Sequence, residues 1–458
     1  MSARRAATPA AVLALATALS ALAGCATYSE RTELAREYVS QRSYEAALAQ
    51  LNGALGVDDA SELPRRWSGD RPLAALERAV LLQAMERWEE SARSFQAAER
   101  ELELLDLGAD PVGTLGRYVY SDSATRYRTT PTEKLSLNAL NLLNYLARGD
   151  LDGAAVEARR FSVMREYLEN TAPGEPHGAF GSYLAGFVFE KLGDPGRALR
   201  YYDDVLAETT LESLREPVVR LAGQTPLHGE RVRALLASTS PGSLPPGDGD
   251  QGEILVVLSL GRVPHKVPKR IPIGAAIGIA GAYLTRDLDV LKYSALKVVS
   301  YPELVGPPFS FQSAELRVDG ALARLEVATN LDVEIRREYD AMKPQILAAA
   351  ITRMAARAAA AEGMRQAGRQ AGGDAAGIAG LLAALATEGA LLAIDKPDTR
   401  SWTLLPAQML VARLPVGPGR HTLELRLSGA HTGSGETRRV EVEVPPGGFA
   451  PVAWTLPR

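Results

Sequence analysis

Four segments in the first half of the chain repeat one pattern of small and large residues, and this repetition constrains the fold more than any other feature. Each segment contains a small residue, and a large apolar or aromatic residue stands nine positions before it. The small residues are Ala47, Ser91, Ala154 and Ala198. The large residues are Tyr38, Leu82, Tyr145 and Phe189. Turn-forming residues fill the space between them, so each segment is expected to form two helices joined by a turn.

This pattern resembles the tetratricopeptide repeat, a helix–turn–helix unit. Small residues allow the two helices to approach closely, and the large residues fill the gap between neighbouring hairpins. Because one repeat is unstable alone and at least three build a continuous core, four repeats indicate a helical domain over 25–237. An insertion at 107–133, rich in Gly, Ser, Thr and Tyr, separates the second repeat from the third. We expect it to pack across the helices, and a functional loop is the alternative.

The remainder of the chain has the character of β-structure. Pro, Gly and Ser are frequent in 238–252, as in an exposed linker. Asp319-Gly320 lies between two short strand-like segments and is a strong hairpin signal. The predicted strands are 253–260, 294–301, 314–318, 322–327, 408–414, 420–427, 437–444 and 450–456. An antiparallel sheet or small sandwich is therefore expected over 253–458, which makes the chain α + β, with its helices and strands in separate domains.

A long helical excursion, 331–394, interrupts the predicted strands. Its first part, 331–370, is rich in alanine and has apolar residues near helical spacing. The second part, 375–394, is apolar except for Thr387 and Glu388. A membrane span needs about 20 apolar residues, and a central charge costs about 2.5 to 3.5 kcal/mol on insertion scales. A helix packed against its neighbours is therefore favoured over a membrane span.

The N-terminus has the layout of a secretory signal that ends at the only cysteine of the chain. Arg4 and Arg5 precede an apolar run at 10–21. The next residues, Leu22-Ala23-Gly24-Cys25, resemble the lipobox of bacterial lipoproteins. The resemblance implies that the thiol becomes a diacylglyceryl thioether, that the signal peptide 1–24 is removed, and that the new amine is acylated. An uncleaved helix with a buried cysteine is the alternative.

Lipidation would make Cys25 an anchor and not a nucleophile or metal ligand. Two acyl chains already hold a protein stably on a membrane, so the three implied chains form a lasting anchor. In enteric sorting, a residue other than Asp after the cysteine directs a lipoprotein to the outer membrane, and Ala26 is such a residue. The expected location is the outer membrane, with the protein facing the periplasm.

A basic stretch punctuated by prolines, 262–272, leads into a glycine-rich apolar segment, 273–283. The prolines exclude a regular helix from the first part. Its cationic side chains are candidates for contact with anionic lipid headgroups or an acidic glycan. They are Arg262, Lys266, Lys269 and Arg270. The favoured interpretation, however, is an exposed loop followed by a glycine-rich segment close to another backbone.

Several short phrases of the second half, together with the repeats before them, resemble an uncharacterised family of proteobacterial repeat-containing lipoproteins. The phrases are Gly261-Arg262-Val263-Pro264, Arg270-Ile271-Pro272-Ile273-Gly274, Tyr301-Pro302-Glu303-Leu304, and Asp398-Thr399-Arg400-Ser401-Trp402 followed by Leu405-Pro406-Ala407-Gln408. Some relatives are encoded near lipoproteins that activate peptidoglycan synthases, which implies an envelope role. The resemblance implies no catalytic residues. We interpret 398–408 as a helix exit with a local Asp–Arg pair and a buried Trp402.

Composition and motifs argue for binding and against catalysis. After lipidation no cysteine remains for a nucleophile or a metal site, and the five histidines are scattered. A net charge of -4 gives no footprint for nucleic acid. Hydrolase, zinc-protease and phosphate-loop motifs are absent from the sequence. We therefore expect no enzyme and no cofactor, but a lipid-anchored scaffold or regulator that binds a periplasmic or outer-membrane protein.

Two other functions stay open: a membrane-inserting component of an export or secretion assembly, and a glycan-acting enzyme of the cell wall. For the scaffold, the expected partner surface is an aromatic stripe on the first helix of the fourth repeat. Phe180, Tyr183 and Phe187 fall at i, i+3 and i+7 on one face. Exposed aromatic side chains in a groove provide large contact area. The alternative is that the insertion or the β-rich region covers these three aromatic side chains.

Overall fold

The computed structural model describes residues 27–104, 127–171, 178–226, 228–239, 251–284, 298–307, 311–370, 397–429 and 435–458. Cys25 and the predicted helix 375–394 lie outside these ranges, as do most of the insertion 107–133 and most of the linker 238–252. The described part is mixed α + β, with most helices before residue 240 and most strands after it.

Within the described residues, helices α2 to α9 form four consecutive pairs at the positions of the four repeated segments. The helices of the first half are α1 Tyr28–Arg31, α2 Glu33–Ser40, α3 Tyr44–Leu55, α4 Arg71–Ala84, α5 Trp88–Glu101, α6 Pro131–Ala147, α7 Leu151–Thr171, α8 Ala179–Lys191, α9 Pro195–Glu208, α10 Arg215–Ala222 and α11 Glu230–Ser238. Two short strands, β1 Glu103–Leu104 and β2 Arg128–Thr129, pair in parallel between α5 and α6.

The turns within the four pairs share one geometry. In each turn, the residue five positions before the aligned small residue has a positive φ. These residues are Arg42 (61°), Glu86 (59°), Gly149 (72°) and Gly193 (73°). The next backbone N–H donates to the carbonyl five residues earlier, at 2.8 to 2.9 Å in all four turns, as in a Schellman motif. The aligned small residues are all fully buried, as close helix contact requires.

Two four-stranded sheets form within the described part of the second half. The strands are β3 Gly252–Leu260, β4 His265–Pro272, β5 Val298–Val305, β6 Phe311–Val318, β7 Ala321–Ala323, β8 Glu326–Asn330, β9 Gln408–Val416, β10 Gly419–Gly429, β11 Glu436–Val444 and β12 Phe449–Leu456. One sheet has the order β11-β10-β6-β7 and is antiparallel, as expected. The other has the order β12-β3-β9-β8, and β12 runs parallel to β3. Asp319 and Gly320 form the expected tight turn with positive φ at both residues.

The two sheets pack face to face, and the central strand β3 is buried on both sides. Ile254 and Val256 point into the core between the sheets. Leu255 and Val257 point the other way and belong to the same core as the helices α2 to α9. This two-sided burial explains why β3 is a continuous apolar run and not an alternating one. The helices share one core with this face of the sheet β12-β3-β9-β8, and the core between the two sheets lies on its other face. We call the unit formed by these helices and the two sheets the body.

A second unit, the side module, consists of β4, β5 and two helices, α12 Ile273–Ala280 and α13 Leu331–Gln370. The strands β4 and β5 pair only with each other among the described strands, which is why β4 tolerates its prolines. The expectation of an exposed loop at 262–272 is therefore wrong over 265–272, where the chain is a strand. The alanine-rich helix is confirmed as α13. The module has its own core, mainly of alanines and isoleucines.

None of the helices in the described ranges is long and apolar enough to cross a membrane.

Candidate partner-binding groove

The aromatic stripe of α8 is not a free surface. Phe180, Tyr183 and Phe187 are at most 3% exposed. The ring of Phe187 packs edge to face against Phe449 of β12, with the centroids 5.1 Å apart. The backbone N–H of Phe180 donates to Thr329 Oγ1 of β8 at 3.0 Å. The prediction that these rings are exposed is wrong, because the sheet β12-β3-β9-β8 covers them.

Two of the four basic candidates make internal contacts, Arg262 within the body and Lys266 between the side module and the body. Arg262 Nη1 donates to the carbonyl of Arg36 at 3.0 Å, and Nη2 donates to Ser40 Oγ at 2.9 Å. Burial lowers the pKa of Arg262 to about 10. Lys266 Nζ donates to the carbonyl of Arg400 at 3.3 Å. These two cations satisfy backbone carbonyls and are not parts of an open anionic-surface site.

The other two basic candidates lie farther along β4, the strand of the side module that also contains Lys266. Lys269 is exposed and forms an ion pair with Glu303 of β5, Nζ to Oε1 3.2 Å. Arg270 is exposed next to it. Of the four predicted cations, two therefore make internal contacts and two lie on the surface.

The segment 398–408 joins the strands to the helices through two buried carboxylates. Glu77 of α4 accepts hydrogen bonds from the backbone N–H groups of Thr403 and Leu404, both at 2.7 Å. Glu133 of α6 accepts from the N–H of Trp402 at 3.1 Å. Burial raises the pKa of Glu77 to about 7, although these hydrogen bonds oppose the rise. The two carboxylates thus satisfy three consecutive N–H groups.

The interpretation of 398–408 is confirmed in part by this geometry. Trp402 is 1% exposed, and Arg400 Nε donates to Asp398 Oδ1 at 2.9 Å. Sequence reasoning missed Glu77 and Glu133, because a glutamate in a helix is usually solvated and nothing local indicates an acceptor for a distant backbone.

A buried ion network joins α8 to the sheet. Arg413 of β9 donates to Glu190 Oε2 of α8 at 2.8 Å and to Glu253 Oε1 of β3 at 3.0 Å. Burial alone would lower the pKa of Arg413 and raise that of Glu190. Their pairing outweighs burial, so the pKa of Arg413 is raised and that of Glu190 is well below its ordinary value. This network has a structural role in the body.

An open groove of about 810 Å³ lies between α5, α6 and α7, on the side of the helices that the sheets leave uncovered. Two exposed valines of α7, Val156 (45%) and Val163 (69%), line it. Its charged lining is mainly cationic. The cations are Arg100, Lys134, Arg159 and Arg160, and the carboxylate among the lining residues is Glu99.

Glu99 organises the floor of this groove. Its Oε1 accepts from Lys134 Nζ at 3.0 Å and from Asn138 Nδ2 at 2.8 Å, and Arg160 Nη1 lies 3.5 Å from Oε2. Burial would raise the pKa of Glu99, but these neighbours outweigh it and lower the pKa. Arg160 also pairs with the buried Glu157, Nη1 to Oε1 3.1 Å. With both carboxylates counted, the groove keeps an excess of positive charge.

The groove combines positive charge with exposed apolar side chains, which is an arrangement for binding an acidic chain with small apolar residues. Sequence reasoning missed it because valines on a helix usually face a core. The signal was the spacing of Val156, Arg160 and Val163, at i, i+4 and i+7 on one face of α7.

In the part of the chain that the structure describes, no group of three or more His, Cys, Asp and Glu residues is placed to hold a metal ion. No family model matches the chain, and no curated protein matches its sequence. The resemblance to repeat-containing lipoproteins stays a prediction.

Proposed function

We propose that this chain is a lipid-anchored outer-membrane lipoprotein that acts as a scaffold, and that it binds a periplasmic or outer-membrane protein through the groove between α5, α6 and α7. The observation that carries the proposal is the groove itself, with its volume of about 810 Å³ and its exposed valines among cations. The common turn geometry of the four helix pairs supports their assignment as tetratricopeptide-like repeats, which commonly bind peptides.

The charges of the groove define the partner. Arg159 and Arg160 are exposed, and Arg100 on the facing helix is exposed as well. Rim charges of this kind steer a partner of opposite sign and select its orientation. The exposed valines give no charge preference but favour apolar contact. The partner segment is therefore an acidic, extended or helical peptide with one or two apolar side chains toward α7.

Photo-crosslinking in intact cells tests the groove. A photoreactive residue in place of Val163 should give an adduct with the partner, and the same residue in place of Val333, which is 50% exposed on α13, should not. Arg159→Glu with Arg160→Glu should reduce the Val163 adduct about tenfold or more, because two attractive charges become repulsive. Equal adducts at both positions, or an adduct that the charge reversal leaves unchanged, would refute this binding site.

Cys25→Ser tests the anchor. Only a thiol can form the thioether, so the substitution should abolish lipid labelling and release the protein from the outer-membrane fraction. Cys25→Ser protein that stays labelled and membrane-bound would overturn the lipoprotein assignment. Ala26→Asp is the companion variant, and it should hold the protein at the inner membrane where the enteric sorting rule applies.

A further inference from the structure

Helix α12 has two apolar faces and no polar one. Ala276 and Ala280 are buried against α13. Ile277 (37%) and Ile279 (44%) are exposed on the two flanks of this buried face, and the side opposite it carries Gly274, Ala275 and Gly278. The segment 271–283 contains no charged residue. A short surface helix normally carries polar residues on its outer face, so this apolar face needs an apolar environment.

The first described residues follow the proposed anchor directly and are packed into the body. Thr27 and Tyr28 are already buried, at 3% and 2% exposure. A residue spans at most about 3.6 Å, so Cys25 is within about 7 Å of Thr27 along the chain. A lipid on Cys25 therefore holds the protein directly against the bilayer, without a long tether.

A continuous path connects the anchor to α12. Helix α1, which begins at Tyr28, contacts β4, and β4 runs directly into α12. At the end of β4 next to α12, Lys269 and Arg270 are exposed. The order along this path is anchor, cations and apolar helix. Basic residues beside an apolar helical face are typical of segments that lie in the headgroup region of a membrane.

We propose that α12 is an interfacial membrane contact: Ile277 and Ile279 enter the apolar edge of the bilayer that holds the Cys25 lipid, while Lys269 and Arg270 meet lipid phosphates. The proposal rests on the lipid anchor of the proposed function. A helix of eight residues is about 12 Å long, so α12 lies in the interface and does not span the membrane. The contact fixes the orientation of the body, because two separated attachments prevent rotation about a single anchor.

Depth-dependent quenching tests this contact in the lipidated full-length protein. Cys25 is the only cysteine, so after acylation Ile279→Cys provides a unique thiol for an environment-sensitive fluorophore. Matched controls are Val163→Cys and Leu322→Cys, whose native side chains are 69% and 70% exposed. The vesicles contain phosphatidylethanolamine and phosphatidylglycerol, with brominated phosphatidylcholine as the quencher.

The label at position 279 should be quenched several-fold more strongly than either control. Quenching at position 279 equal to that of the controls would overturn the membrane contact and favour a protein partner on α12. Failure of the anchor is recognised separately, because an unacylated Cys25 reacts with maleimide. In that case, flotation of the Cys25→Ser chain with these vesicles tests whether α12 binds the membrane without the lipid anchor. Ile277→Asp with Ile279→Asp should lower flotation about tenfold relative to Leu322→Asp, and an equal result for both would also overturn the contact.

Discussion

The body and the side module are built in different ways. Large side chains and buried charges form the interior of the body. Trp402, Arg78 and Arg400 are among its largest fully buried residues. Alanine is the most frequent residue in the core of the side module, and Tyr301 and Tyr339 are its buried aromatics. Because an alanine buries little surface, the module gains less stability per residue than the body does. We therefore expect the module, which is the smaller unit, to be the less stable of the two.

The largest expected effect concerns the charge network of the body. Arg413→Met would remove the most buried cation of the network, while Lys191 would still pair with Glu190 and Glu253, and Arg220 with Glu190. We therefore expect a loss of about 3 kcal/mol in the free energy of unfolding, at the low end for a broken buried ion pair. Because the network joins helices to the sheet, both should unfold together in one denaturant transition. The control is Arg420→Met, whose exposed ion pairs should be worth less than about 1 kcal/mol. Two separate transitions in the Arg413→Met variant would show that the two halves are independent domains.

The next effect compares alanines of the two units. Ala198→Leu adds methylenes at a fully buried helix contact of the body, where they have no space, and should cost about 1 to 3 kcal/mol. Ala356→Leu in α13 is the matched control, since Ala356 is exposed and leucine is a good helix former. Its thermal midpoint should stay close to that of the wild type. An unchanged midpoint for the Ala198→Leu variant would argue against the close helix contact.

A third effect is the pH dependence with which α13 of the side module is attached to the body. Burial, with Glu208 and Glu338 nearby, raises the pKa of Glu334 to about 8. Burial also raises the pKa of Glu338 to about 7, against the opposing hydrogen bonds of its neighbours. Unfolded glutamate titrates near pH 4.3, so between that pH and about 8 the unfolded state binds fewer protons. The attachment of α13 should therefore weaken as pH rises through this window, by about 1 to 2 kcal/mol.

Hydrogen exchange of the first turns of α13 measures this effect, after correction for the intrinsic pH dependence of exchange. Glu334→Gln with Glu338→Gln should remove the pH dependence, because neither amide titrates. Glu77 gives the body a pH dependence of its own in this window, and that dependence should be the same in both proteins. A pH dependence that persists in the double variant would place its cause elsewhere.

The difference between local and distant contacts also explains what the sequence could predict. The helix pairs and most strands follow from periodicities of 3.6 and 2 within short windows. The predicted strand 294–301 is displaced from β5, which runs from Val298 to Val305. The stripe at Phe180, Tyr183 and Phe187 has the expected spacing, but its cover comes from β8 and β12, far along the chain. Hydrogen-bond acceptors such as Glu77 are equally hard to predict from the sequence, because their donors lie in the other half of the chain.

The smallest expected effect concerns the four turns of the body, where equivalent positions hold different residues. Gly149 and Gly193 adopt a left-handed conformation without steric cost, whereas Arg42 and Glu86 adopt it with a Cβ. That strain is about 1 kcal/mol, and the entropy that glycine adds to the unfolded chain offsets part of it. Arg42→Gly and Glu86→Gly should therefore raise the free energy of unfolding by about 0.5 kcal/mol. Gly149→Ala and Gly193→Ala should lower it by about 1 kcal/mol. Changes of opposite sign in the free energy of unfolding at the aligned positions would support one repeated turn. Changes of the same sign at all four positions would indicate that the four helix pairs are unrelated hairpins.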